Sequence, residues 1–219
     1  MNTATRGTAT PRKGKPYIHV TWLAKVLGGA RCLYSPWFKA HYQHTKYEEQ
    51  AADLAKWNAD HTKLMNRRRA QLERDGWTVS VEDQNEFRLE GEAAIVAGKM
   101  DLVAVKGEEV LVVDGKTGRE RESDIWQVLI YLYALPKARK DLPANLEGEV
   151  HYKGGDVSLT PSELTPERRS RMVDLIKTIA SDTPPPKYPV RDECRFCSIG
   201  FGDCPERVGP PKTTQVGDF

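Results

Sequence analysis

The chain of 219 residues is 39% hydrophobic and 29% charged, enough apolar content for a packed core and too much for wholesale disorder. Its longest strongly apolar run, Val128 to Leu135, is far too short to span a bilayer, and the polar, basic start from Met1 to Lys15 carries no apolar stretch to act as a secretory signal. The net charge of +2 conceals an asymmetry, because residues 1–47 hold eight of the 33 Lys and Arg residues and none of the 31 Asp and Glu residues. These features point to a cytoplasmic protein rather than a membrane-spanning or secreted one. A basic segment ahead of an acidic body suits a polyanionic partner without establishing one.

In chain order, residues 1–16 read as a flexible basic arm rich in Thr, Gly and Pro. Thr21 to Leu27 reads as a short helix stopped by Gly28-Gly29, and Pro36 to Asp75 as a long helical region ended by Gly76. Three strand-like runs follow: Trp77 to Leu89, with a polar centre at Glu82 to Asn85 that can break it, Ala93 to Val105, and Val110 to Asp114. Ser123 is placed to cap a helix over Asp124 to Leu135, and a hairpin around Gly154-Gly155 comes next. Thr165-Pro166 then opens a helix whose apolar stripe is Met172, Leu175, Ile176 and Ile179. Residues 17–208 make a single domain and 209–219 a tail. Helix, meander, helix and strand together predict an α/β core with a mixed central sheet flanked by helices.

The most informative stretch is Gly98-Lys99-Met100-Asp101, followed by Asp114-Gly115-Lys116-Thr117. Adjacent strands can bring Asp101 and Asp114 side by side. Two carboxylates in one place repel unless a cation lies between them, and hard Mg²⁺ prefers such oxygens. Asp114 and Lys116 are two apart, so on a strand they point to one face, where an ammonium can orient water or offset phosphate charge. A solvent-facing Asp-Gly turn is the plainer alternative. Gln127 and Tyr131, four apart on the next helix, share a face beside this strand and could hold a phosphate or base.

A Gly-x-x-Asp strand, an Asp-x-Lys-Thr strand end and a Gln-x-x-x-Tyr helix, in this order, resemble the RecB-like PD-(D/E)XK nucleases over roughly Asp60 to Tyr152. The resemblance implies a restriction-endonuclease-like core, with Asp101 and Asp114 as ligands of Mg²⁺ or Mn²⁺, the Gly115 carbonyl as a further ligand, and Lys116 as the catalytic lysine. It implies a histidine on the preceding helix, a role His61 fits ahead of His41 and His44. It also implies a glutamate before the Asp strand, a role Glu86 fits with Glu82 as rival. The family's glycine shortly before that histidine is absent, and Trp57-Asn58-Ala59-Asp60 stands there.

The four cysteines are Cys32, Cys194, Cys197 and Cys204. The last three form a compact chelating loop, and three soft thiolates want a fourth ligand, leaving zinc and iron–sulfur both open on spacing. One cysteine before the core and a triplet after it is similar to AddB-type nucleases and CRISPR-associated RecB-like exonucleases. That similarity implies a [4Fe–4S] cluster in a lobe formed by both chain ends, Cys32 and residues 190–208, closing a loop of about 160 residues. The implied function is a metal-dependent DNA nuclease, an exonuclease on single strands or overhangs, in CRISPR spacer acquisition or in recombination and repair, with proteins of those systems as partners. The alternatives are a catalytically silent DNA-binding subunit and a zinc-stabilised adaptor. Metal-dependent cleavage and iron analysis discriminate among the three.

Overall fold

The computed structural model describes residues 7, 9–46 and 51–209, with the backbone alone for 51–54. The N-terminal half opens with β1 (Thr10–Pro11), β2 (Tyr17–His19), α1 (Val20–Leu27), α2 (Tyr34–His41), β3 (Tyr42–Gln43) and α3 (Ala51–Arg74). The meander follows as β4 (Thr78–Val81), a 3-10 turn (Glu82–Asn85), β5 (Glu86–Glu90), β6 (Ile95–Lys99), β7 (Leu102–Lys106) and β8 (Glu109–Lys116). The chain continues through α4 (Glu122–Ala138), β9 (Asn145–Tyr152), β10 (Gly155–Leu159), α5 (Pro166–Ala180) and α6 (Arg191–Arg195). No helix among the described residues is long and apolar enough to cross a membrane.

The main sheet has the order β10-β9-β8-β7-β4, with β8 and β9 parallel and the other neighbours antiparallel. The parallel pair needs a crossover, and α4 supplies it. α4 is buried on nearly every side, so its sequence is apolar all round rather than striped. Trp126, Leu129 and Leu135 are at most 1% exposed, and burying each such side chain contributes about 1.5–3 kcal/mol. On the opposite face α3 packs Met65 and Leu72 against Leu102, Ala104 and Val113. α5 begins as its sequence signals, with Thr165 Oγ1 accepting from the Arg168 N–H at 3.3 Å and Pro166 at the first helical position.

Several boundaries differ from the sequence reading. The helical region over Pro36 to Asp75 is two helices, α2 and α3, with β3 between them. α4 starts one residue before Ser123, which caps nothing and donates instead to Asp124. Residues 1–6 and 8 of the basic arm, and 210–219 of the tail, lie outside the described residues. The second half of that arm is docked: β1 pairs with β3, and the Arg12 N–H donates to His41 O at 2.7 Å.

The largest difference concerns the run Ala93 to Val105. It is two strands in two sheets. β6 joins β2 and β5 in a three-stranded sheet, while β7 belongs to the main sheet. The first run breaks at the same level, between β4 and β5, as its polar centre suggests. Asn85, 1% exposed, pins both corners, its Nδ2 donating to Ser80 O at 2.9 Å and to Met100 O at 3.4 Å. Asp101 therefore sits at a corner between strands, not within one.

Candidate active site

Three elements converge at the C-terminal end of β8. The β6–β7 corner supplies Asp101, whose Oδ2 accepts from the Gly115 N–H at 2.7 Å and lies 3.1 Å from His61 Nε2 on α3. β8 supplies Asp114 and Lys116, with Lys116 Nζ 2.5 Å from Asp114 Oδ2. α4 supplies Gln127, which donates to Asp114 Oδ1 at 2.7 Å and accepts from Lys116 Nζ at 3.1 Å. Tyr131 closes the chain: its hydroxyl receives the second Gln127 hydrogen at 3.0 Å and donates to Lys99 O at 2.9 Å.

The motif glycines have packing reasons. A Cβ on Gly98 would stand 2.7 Å from the Phe87 ring and 2.8 Å from that of Tyr131. One on Gly115 would stand 2.0 Å from Met65 Sδ and 3.4 Å from His61 Nε2. Both positions let neighbouring elements press directly onto the backbone.

The electrostatics follow from burial. Asp114 is 2% exposed, and burial, with Asp101 adding, pushes its carboxyl up to about 6 against the opposing pull of Lys116. Burial alone would lower Lys116, but the Asp114 carboxylate outweighs it and raises the ammonium's pKa. The hydrogen bond to Asp101 raises His61, with burial opposing. Asp114 Oδ2 is fully buried and, despite the ionic neighbour, forms no hydrogen bond of good geometry. The cationic partner of this buried oxygen in the fold is the Lys116 ammonium, 2.5 Å away. A divalent cation fits the oxygen donors Asp101 and Asp114.

The other residues expected at the site divide. His41 bonds Ile179 O at 3.0 Å and His44 bonds Ser198 Oγ at 3.1 Å, so α3 brings His61 alone of the three to the carboxylates. Glu82 meets Asp101 only through backbone, and its side chain pairs with Lys99 at 3.5 Å. Glu86 is exposed, opposite Lys99 in the β5–β6 register, and no hydrogen bond or ion pair among the described residues joins it to the site. Gln127 and Tyr131, at 8% and 1% exposure, face inward: Gln127 hydrogen-bonds Asp114 and Lys116, and Tyr131 hydrogen-bonds Gln127.

Two features escaped the sequence reading. Trp57 stacks on His61, with ring centroids 5.2 Å apart at 20°. The Arg67-Arg68-Arg69 run on α3 sends Arg68 inward to clamp both oxygens of Glu149 on β9, one at 2.7 Å. The spacing His61, Met65, Arg68 traces one helical stripe and was the available signal. Glu149, His151 and Asp156 bring ligand atoms within 4.8 Å of one another, as His61, Asp101 and Asp114 do not. In the first trio Arg68 already neutralises Glu149.

The two chain ends pack together around the cysteines. Glu193 accepts from the backbone N–H groups of Arg31 at 2.9 Å and Cys32 at 3.1 Å, and Ser35 Oγ lies 3.5 Å from Cys197 Sγ. Trp37, Phe38 and Ile199 form a small core against which Cys197 and Cys204 pack. Buried Arg207 ties the loop, donating to Cys197 O at 2.7 Å and Ile199 O at 2.8 Å. All four cysteines are free thiols.

Fold and site thus define an α/β protein with mixed sheets and a carboxylate–lysine cluster at the end of a central strand. The PD-(D/E)XK nuclease superfamily model matches residues 22–200, and the chain belongs to that superfamily, whose members are metal-dependent nucleases. The crystal structure of SSO0001 is similar at 15% identity and a TM-score of 0.47, covering 90% of each chain. No curated protein matches the chain.

Proposed function

We propose that this chain hydrolyses phosphodiester bonds of DNA, working from ends on single strands or overhangs. Asp101 and Asp114 would hold Mg²⁺ or Mn²⁺, with His61 and the Gly115 carbonyl at the rim of that site. The single observation carrying this reading is the convergence of Asp101, buried Asp114 and Lys116 at the end of β8, with Asp101 held on the Gly115 N–H and Asp114 on the Lys116 ammonium. A divalent cation held there supplies positive charge to a phosphate oxygen and acidifies water. The remaining work falls to the chain. Lys116, kept protonated by Asp114 and aimed by Gln127, orients the attacking water or offsets phosphate charge. Gln127 and Tyr131 are positioning residues that fix both charged groups from a buried helix. The preference for ends and the setting, spacer acquisition or recombination and repair, rest on the resemblance of the motifs.

We assign the cysteine lobe a structural [4Fe–4S] cluster. Four free thiols, two of them packed against the Trp37, Phe38 and Ile199 core, suit a soft cluster. The test of function uses matched linear and closed circular single-stranded DNA with Mg²⁺ or Mn²⁺. Linear strands should be consumed and circles survive, with no cleavage by Asp114→Ala. Equal rates on both would make the protein an endonuclease. No cleavage of either by the metal-loaded wild type would leave the silent DNA-binding subunit in its place.

A further inference from the structure

We propose that Trp57 is a nucleobase platform, on whose open side an unpaired base near the scissile phosphate stacks. The proposal rests on the reading of Asp101, Asp114 and Lys116 as the cleavage centre. Single exposed apolar side chains are ordinary on protein surfaces, but three features set this one apart. It stands one helical turn before His61, so α3 itself carries the indole to the edge of the carboxylate cluster. The indole is held parallel to the His61 ring, and that ring is fixed in turn by Asp101 at 3.1 Å. Half of the residue nevertheless remains open to solvent, at 50% exposure, whereas Trp37 and Trp126 are buried.

The surroundings suit a strand passing over the ring. Exposed Lys56, Lys63 and Arg67 lie along one stripe of α3, about a quarter-turn from Trp57. Lys63 and Arg67 share one open face of α3 with Thr62 and Asn66. This stripe lies about 120–160° round the helix from His61, so it is a basic flank beside the platform on which a strand can rest its phosphates before one base reaches the indole. Bases inside a duplex are already stacked, so a platform here selects single strands. The ring therefore supplies substrate choice, while the buried carboxylates and lysine supply chemistry.

The test measures binding of the full chain to a labelled oligothymidylate in chelator, so that no cleavage intervenes. Trp57→Ala should weaken binding about 5- to 150-fold, the range for loss of one base–aromatic stack, and Trp57→Phe should recover part of it. The slope of log affinity against log salt should not change, because no phosphate contact is lost. An abasic residue, scanned along the strand, should weaken wild-type binding at one position and leave Trp57→Ala indifferent there. Binding by Trp57→Ala within twofold of wild type, identical abasic scans for both proteins, or no single-strand binding by wild type would each overturn the platform. Cleavage by wild type in Mg²⁺ or Mn²⁺, measured separately, decides the nuclease reading.

Discussion

Replacing Asp114 with Asn should make the metal-free protein more stable at pH 8 while abolishing cleavage. The carboxyl titrates at about 6 in the fold against an ordinary 3.8, because burial outweighs the attraction of Lys116. The folded chain thus holds this proton more tightly than the unfolded chain. Between roughly pH 4 and 6 unfolding releases it, so stability falls as pH rises through that window and stays low above it. At about 1.4 kcal/mol for each tenfold difference in proton affinity, the full penalty is about 3 kcal/mol. Asn carries no charge and escapes it. The attraction of Lys116 is already contained in that figure, so the gain for Asn above pH 6 is about 3 kcal/mol at most. Urea denaturation of both proteins in chelator, from pH 4.5 to 8, measures the difference. It should be small at pH 4.5, grow towards pH 6 and level off above. Wild-type cleavage should decline as pH falls through about 6, since the proton and a cation compete for the same oxygens. A variant less stable than wild type at pH 8, or a difference that does not change with pH, would refute the burial argument.

Gly115→Ala drives a methyl group towards Met65 and should cost about 1–3 kcal/mol, and Met65→Ala alone about 2–5 kcal/mol. The double variant should lose less than the sum, and simple additivity in denaturation would show that the two side chains do not meet. Arg68→Met leaves Glu149 buried without its partner and should cost about 3–5 kcal/mol, recovered in large part by adding Glu149→Leu. Arg69→Ala, which breaks only the exposed pair with Glu73, should cost under about 1 kcal/mol by the same denaturation assay. Cys32→Ser should lower the iron and sulfide of anaerobically purified protein and loosen both chain ends. One stoichiometric zinc and no iron in the wild type would refute the cluster while leaving a shared thiolate site.

The sequence by itself determined what one element's backbone geometry enforces. Asp114 and Lys116 face one way because strand side chains alternate, and they meet in an ion pair. Gln127 and Tyr131 share a face because helix neighbours recur every four residues, and they do hydrogen-bond. Thr165-Pro166 starts a helix because its capping atoms lie within three residues. The sequence could also place the Cys-rich segment after the core, but not the Glu193 carboxylate that clips it to Cys32. What remained hidden depends on contacts between distant segments. An apolar run such as Ala93 to Val105 has the same pattern whether it stays in one sheet or crosses to another. It turns at Met100, where the buried amide of Asn85 bonds the backbone, and presents Asp101 at a corner. His61 reaches that corner, and His41 and His44 do not, because α3 packs on the main sheet through Met65 and Leu72. Tyr131 is buried against Gln127 because α4 is enclosed by both sheets and α1. Burial on all sides is a property of the assembled layers, and no periodicity within the helix records which neighbour each face will meet.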